Sequence, residues 1–127
     1  MDLAYELTAN TILFTTVGDV EHRGALDILK EGLAAGAATP IPNGWHLLFD
    51  IRQSTENRDP NELRSTASKI ANYRASLSGY CAVVAADPLH YGLARMFSVF
   101  MGGLGFEAMV FHCLEEAKQW LNVSPRK

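Results

Sequence analysis

The chain has 127 residues, 48% hydrophobic and 20% charged, with a formal charge of −3. That is the size and usage of one globular domain, which buries about two-thirds of its unfolded surface and needs neither disulfide nor metal to hold a core. No basic block precedes Arg126-Lys127, which speaks against nucleic acid as a partner, and charged residues interrupt every apolar run short of membrane-spanning length.

The start, Met1-Asp2-Leu3, is acidic where a secretory signal is basic, and Cys81 and Cys113 stand far apart with no Cys-x-x-Cys spacing. A reduced, cytoplasmic protein is expected, with no disulfide framework and no zinc cage.

Leu3 to Leu7 alternates apolar with polar, Ala9-Asn10 suits a turn, and Thr11 to Val17 is rich in β-branched residues, which predicts a hairpin. Gly18-Asp19 offers an N-cap to a first helix marked by Leu26, Leu29 and Leu33 and closed at Gly36. A loop with Pro40, Pro42 and Gly44 leads to Trp45–Ile51, a strand apolar on both faces and so expected at the centre of a sheet. Asp59-Pro60-Asn61-Glu62 sets a cap, an N1 proline and an N3 glutamate in order; a second helix follows, with Leu63, Ala67, Ile70 and Leu77 buried and Gly79 at its end.

Tyr80–Ala86 is another continuous apolar strand, and Asp87-Pro88 begins a third helix whose inner face is assigned to Leu89, Leu93, Met96, Phe97 and Phe100. The glycines at 102, 103 and 105 end it, Phe106–Phe111 makes a last strand, and Glu115-Glu116 opens a final helix with Leu114, Ala117 and Leu121 inward. Strands alternating with helices imply right-handed crossovers. The expectation is an α/β domain over residues 1–122, with a tail at 123–127. Its sheet is five-stranded, mixed but mostly parallel, in the order ββαβαβαβα.

This element order resembles STAS-type domains, and most closely their SpoIIAA-like branch, often described as STAS/SEC14-like. The residues that carry it run from Leu3 to Leu121 and are strongest in Asp87-Pro88, Gly92-Leu93-Ala94-Arg95-Met96, Val110-Phe111, Glu116-Ala117 and Trp120-Leu121. The resemblance implies a fold more than a chemistry. Bacterial anti-sigma factor antagonists of this type switch by phosphorylation of a serine in an Asp-Ser-Ser-Gly segment opening the second helix. Here that segment is Asp59-Pro60-Asn61-Glu62, without a hydroxyl, and no residue pattern selects Ser54, Thr55, Ser65 or Thr66 in its place.

Ligands of parallel sheets collect beyond the carboxyl ends of the strands, where helix N-termini present free amides. Asp50, Ser54, Asp87 and His90 are therefore candidate ligand-binding residues, with Arg52 and Arg95 nearby. The simpler reading is that Asp59 and Asp87 cap helices and His90 sits on a solvated turn. The histidines are scattered without metal-ligand spacing, no serine or cysteine sits in a nucleophile elbow, and the glycine run follows a helix instead of opening one. No catalytic residue, metal or cofactor is expected.

The third helix carries few charges. Its outer side is assigned to Tyr91, Arg95, Ser98 and Gly102, flanked by Ala94, Val99 and Met101, as an interface for a partner protein or a second copy of the chain; adjacent loops covering it are the alternative. Two functions follow. One is a non-catalytic regulatory interaction module, as the resemblance implies. The other is a carrier of a small apolar ligand or lipid, with a pocket of a few hundred Å³ lined by Met96, Phe97, Phe100 and Met101.

Overall fold

The computed structural model describes residues 2–123. The N-terminal hairpin pairs β1 (Asp2–Thr8) with β2 (Thr11–Gly18) through Ala9 and Asn10, and Thr8 lies opposite Thr11. The chain continues through α1 (His22–Ala37), β3 (Trp45–Ser54), α2 (Pro60–Ala71), a 3-10 turn (Arg74–Ser76), β4 (Leu77–Val84), α3 (Pro88–Gly103), β5 (Glu107–Phe111) and α4 (Leu114–Val123). Val123, expected in the tail, ends α4, and 124–127 lie outside the described residues.

The strands lie side by side in chain order; β1 is antiparallel to β2, and β2 to β5 run parallel. Right-handed crossovers that always step in one direction place their helices on one face of a sheet. Accordingly Leu29 and Leu33 of α1, Ala67 and Ile70 of α2, and Ala94, Phe97 and Met101 of α3 share one core with Ile12, Phe14, Leu47 and Val83. Strand residues alternate between faces, and the second core, Leu48, Ala82 and Val84, is covered by Ala117 and Leu121 of α4.

Several boundaries differ from expectation for local reasons. Asp19 does not cap α1; Glu21 holds that position and makes no side-chain cap. Gly36 lies inside α1, where a Cβ would stand 2.7 Å from the Ile12 side chain, and its carbonyl accepts the Trp45 indole N–H at 3.0 Å. The second helix stops at Ala71, and Leu77 to Gly79 belong to β4. There Trp45 pairs with Leu77 but Leu47 with Cys81, so β4 carries extra residues at Gly79, whose φ of +98° suits a bulge. Arg74 spans the junction: its guanidinium lies over the Phe106 ring and donates to the Leu104 carbonyl at the end of α3.

The start of α2 follows the sequence reading. Asp59 accepts from the Glu62 backbone N–H at 2.8 Å, Glu62 returns the bond to the Asp59 N–H at 3.0 Å, and Pro60 occupies the first turn. Such a cap contributes about 1 kcal/mol.

Candidate functional site

A cavity of about 150 Å³ lies between the carboxyl-terminal halves of β2 and β3 and the three helices on that face. Its floor is aromatic. Phe14 stacks on Phe49 at 5.1 Å between centroids, and Phe49 meets the Phe97 edge at 6.0 Å. Leu26 and Leu29 of α1, Leu63 of α2 and Leu93 of α3 form the walls, while Thr16, Ser54, Glu56, Arg58, Thr66 and His90 bring polar groups to the lining.

His90 ties the rim together. Its backbone N–H donates to Asp87 Oδ1 at 2.8 Å, its Nδ1 faces both Asp87 oxygens at 2.9 and 2.8 Å, and Nε2 donates to the Glu56 carbonyl at 2.8 Å. The ring is buried, not solvated as expected, because these partners satisfy both nitrogens. It thereby fastens the first turn of α3 to the β3–α2 loop.

Arg58 in that loop donates from Nη2 to the Val20 carbonyl at 2.8 Å, and its Nη1 stands 2.8 Å from Glu56 Oε2 in an ion pair. Glu56 Oε1 is buried and meets no hydrogen-bond donor among the described residues. The Asp19 carboxyl beside Glu56, helped by desolvation, raises the Glu56 pKa above its ordinary value against the opposing pull of Arg58.

The expected ligand-binding residues do not all converge. Ser54 and His90 line the cavity, and Asp87 reaches it through His90. Asp50 sits one residue out of phase with the lining residues Phe49 and Ile51, so it faces the other side of the sheet, where Arg52 grips it at 2.9 and 2.8 Å. Arg95 is exposed on α3 and does not line the cavity. Glu56, Arg58, Thr16 and Thr66 were missed; the available signal was a Glu-x-Arg pair just beyond the end of an apolar strand.

The expected face of α3 is rotated. Its buried stripe is His90, Ala94, Phe97 and Met101, so Met101 and Ala94, assigned to the outer side, are core residues, and Leu89 and Met96, assigned inward, are exposed. Tyr91 stacks on His112 at 4.2 Å, Ser98 Oγ donates to the Arg95 carbonyl at 2.7 Å, and Phe100 lies under the Arg64 guanidinium of α2. Val99 alone among the apolar residues assigned to that interface is exposed. Of the four residues expected to line a carrier pocket, Phe97 does so and Met96, Phe100 and Met101 do not.

No protein-family model matches the chain, and no curated protein matches it in sequence. Solved structures do match. One is an uncharacterised protein of the DUF3478 family with a SpoIIAA-like fold, from Shewanella loihica, with a TM-score of 0.63 and 17% identity over 94% of this chain and 92% of that one. Another is an anti-sigma factor antagonist from Mycobacterium paratuberculosis, with a TM-score of 0.61 and 13% identity over 95% and 93% of the two chains. The fold is SpoIIAA-like.

Within this SpoIIAA-like domain, the opening of α2 is filled by its own capping box, and two of the nearby hydroxyls are engaged: Ser54 Oγ accepts from the Glu56 N–H, and Thr66 Oγ1 donates to the Glu62 carbonyl. Burial pushes the Cys81 thiol up, away from the thiolate a nucleophile needs. Ser78 Oγ lies 2.6 Å from His46 Nδ1, but His46 is only 3% exposed, and its ring meets Tyr80, which in turn packs on Trp120 of α4. No described helix is long and apolar enough to cross a membrane, and among the described residues no three His, Cys, Asp or Glu side chains cluster as a metal site.

The acidic groups give a pH signature. The hydrogen bond from the Arg52 side chain holds the Asp50 carboxyl below its ordinary 3.8, and the His90 backbone N–H, then its ring, does the same for Asp87. Folding thus favours their ionised forms, so their stabilisation is complete above the unfolded value and is lost as pH falls through the lower folded one. Asp50→Asn is expected to cost about 0.5 to 1 kcal/mol at neutral pH. In urea titrations the difference from wild type should shrink below about pH 4. A difference that stays constant down to acid unfolding rules out the Asp50–Arg52 pair as its source.

Proposed function

We propose that this domain is a non-catalytic regulatory module that binds another protein through the outward stripe of α3. One observation carries the reading: Leu89, Met96 and Val99 are 56%, 37% and 70% exposed, and their spacing of seven and three residues puts them on one stripe of the helix. Gly92 and Gly103 fall on the same stripe, and a Cβ at either meets nothing within 4 Å, so a partner backbone has room to approach closely. Arg95 borders the stripe, exposed and without an ion pair among the described residues, which suits a partner segment with an apolar face and a carboxylate at its edge.

The structural neighbour named as an anti-sigma factor antagonist supports a protein partner and a regulatory role. The cavity argues against the lipid-carrier alternative, since about 150 Å³ falls short of the roughly 300 Å³ at which pockets for drug-sized ligands begin. With no hydroxyl in its opening segment, α2 lacks the phospho-acceptor of the better-known antagonists, so the module is read as one that binds without that switch.

A photoreactive residue at Val99, introduced in the cell of origin, tests the reading. It is expected to cross-link one protein, and Met96→Glu should weaken capture by about tenfold or more. Equal labelling from the exposed control position Gln119, or no dependence on Met96, defeats the proposal. Cross-linking only to a second copy replaces the regulatory partner with a homodimer.

A further inference from the structure

The cavity beneath α3 is independent of the stripe on its outer side, and its chemistry specifies a ligand. A closed apolar cavity of about 150 Å³ accommodates a single benzene-sized ring, and this one is of that volume but open at a polar rim. Three phenylalanines contribute to its lining, Phe14, Phe49 and Phe97, and present both faces and edges to an aromatic ring. A ring with a short stem reaching the rim therefore fits, whereas a long acyl chain does not.

The rim decides what the stem carries. The Arg58 guanidinium donates from Nη2 to the Val20 carbonyl and its charge is already paired with Glu56 at 2.8 Å, although Nη1 completes no hydrogen bond among the described residues, so an entering carboxylate would have to compete with Glu56 for the same guanidinium. Glu56 Oε1 is a buried acceptor without a donor, and Asp19 adds a second carboxyl group beside it. Two carboxylates against one guanidinium leave an excess of negative charge, which attracts a cation and repels an anion. An ammonium has three donors and no acceptor, so it can meet Glu56 Oε1 and also the hydroxyl oxygens of Thr16 or Ser54 on the lining.

We infer that the cavity is a binding site for a compact arylalkyl amine of about nine heavy atoms, its ring on the phenylalanine floor and its ammonium on Glu56.

Titration of the whole chain with 2-phenylethylamine, 2-phenylethanol and phenylacetate, followed by amide NMR shifts, tests it. The amine should bind at least about tenfold more tightly than phenylacetate, with the alcohol between them. Shifts should centre on Thr16, Leu63 and Leu93. Glu56→Gln should remove most of the amine's advantage while the alcohol still binds. Ala25→Leu, at a partly exposed lining position, should weaken all three. If phenylacetate binds as well as the amine, if no probe binds at millimolar concentration, or if the shifts lie away from the cavity, the assignment is overturned. The wild-type ranking alone decides the matter should either variant fail to fold.

Discussion

Gly44→Ala is expected to destabilise the domain by about 3 kcal/mol or more, lowering Tm by about 10 °C. Gly44 has a φ of +77°, and a Cβ there would stand 2.5 Å from the Leu77 carbonyl carbon and 2.7 Å from the Ser78 nitrogen. These are backbone atoms at the start of β4, pinned because Leu77 pairs with Trp45, the residue after Gly44. Neither side can yield without breaking the entry to the central pair of strands. Gly79 supplies the control: its φ is +98°, but a Cβ meets nothing within 4 Å, so Gly79→Ala should cost only the conformational part, about 1 to 2 kcal/mol. Chemical and thermal unfolding of the two variants separate collision from strain. Equal losses would show that the approach of β4 to Gly44 is not what requires glycine.

Leu121→Ala should cost a comparable amount, about 3 kcal/mol. Leu121 is 1% exposed and, with Ala117, joins Leu48, Ala82 and Val84 on the sheet face opposite the other three helices. No other described helix shares that core, so little neighbouring structure can collapse into the gap. Trp120 beside it packs on Tyr80 and Phe111, each at 5.8 Å, and its fluorescence reports the same region. Loss of stability below about 1 kcal/mol would mean that α4 is not held by this contact.

Much of the architecture was legible because its signals were redundant. Trp45 to Ile51 and Tyr80 to Val84 are apolar on both faces, as parallel strands between two cores must be, and Asp59-Pro60-Asn61-Glu62 offers one start for a helix. Where one signal stood alone, it misled. Leu77 lies seven residues after Ile70 and so fits the helical stripe, but the helix had already ended at Ala71, and the Ser-Gly pair that follows builds a bulge in a strand.

The site was less readable for a related reason. Around α3 nearly every position is apolar, so spacing cannot say which stripe faces inward. The answer turns on His90, whose polar identity suggested solvent. It is buried because Asp87 and the Glu56 carbonyl lie on either side of its ring, a relation between distant segments that no local pattern carries. Glu56 and Arg58 lie in an aperiodic loop, and only the path of that loop over the cavity gives them meaning.

The order of the sheet also simplifies its topology. With β1 to β5 lying side by side in the order in which they follow one another along the chain, no strand has to be inserted between two earlier ones. Both margins of the sheet, β1 and β5, are thus the two ends of the strand series, and the flank formed by Leu48, Ala82 and Val84 is sheltered only by the last helix of the chain.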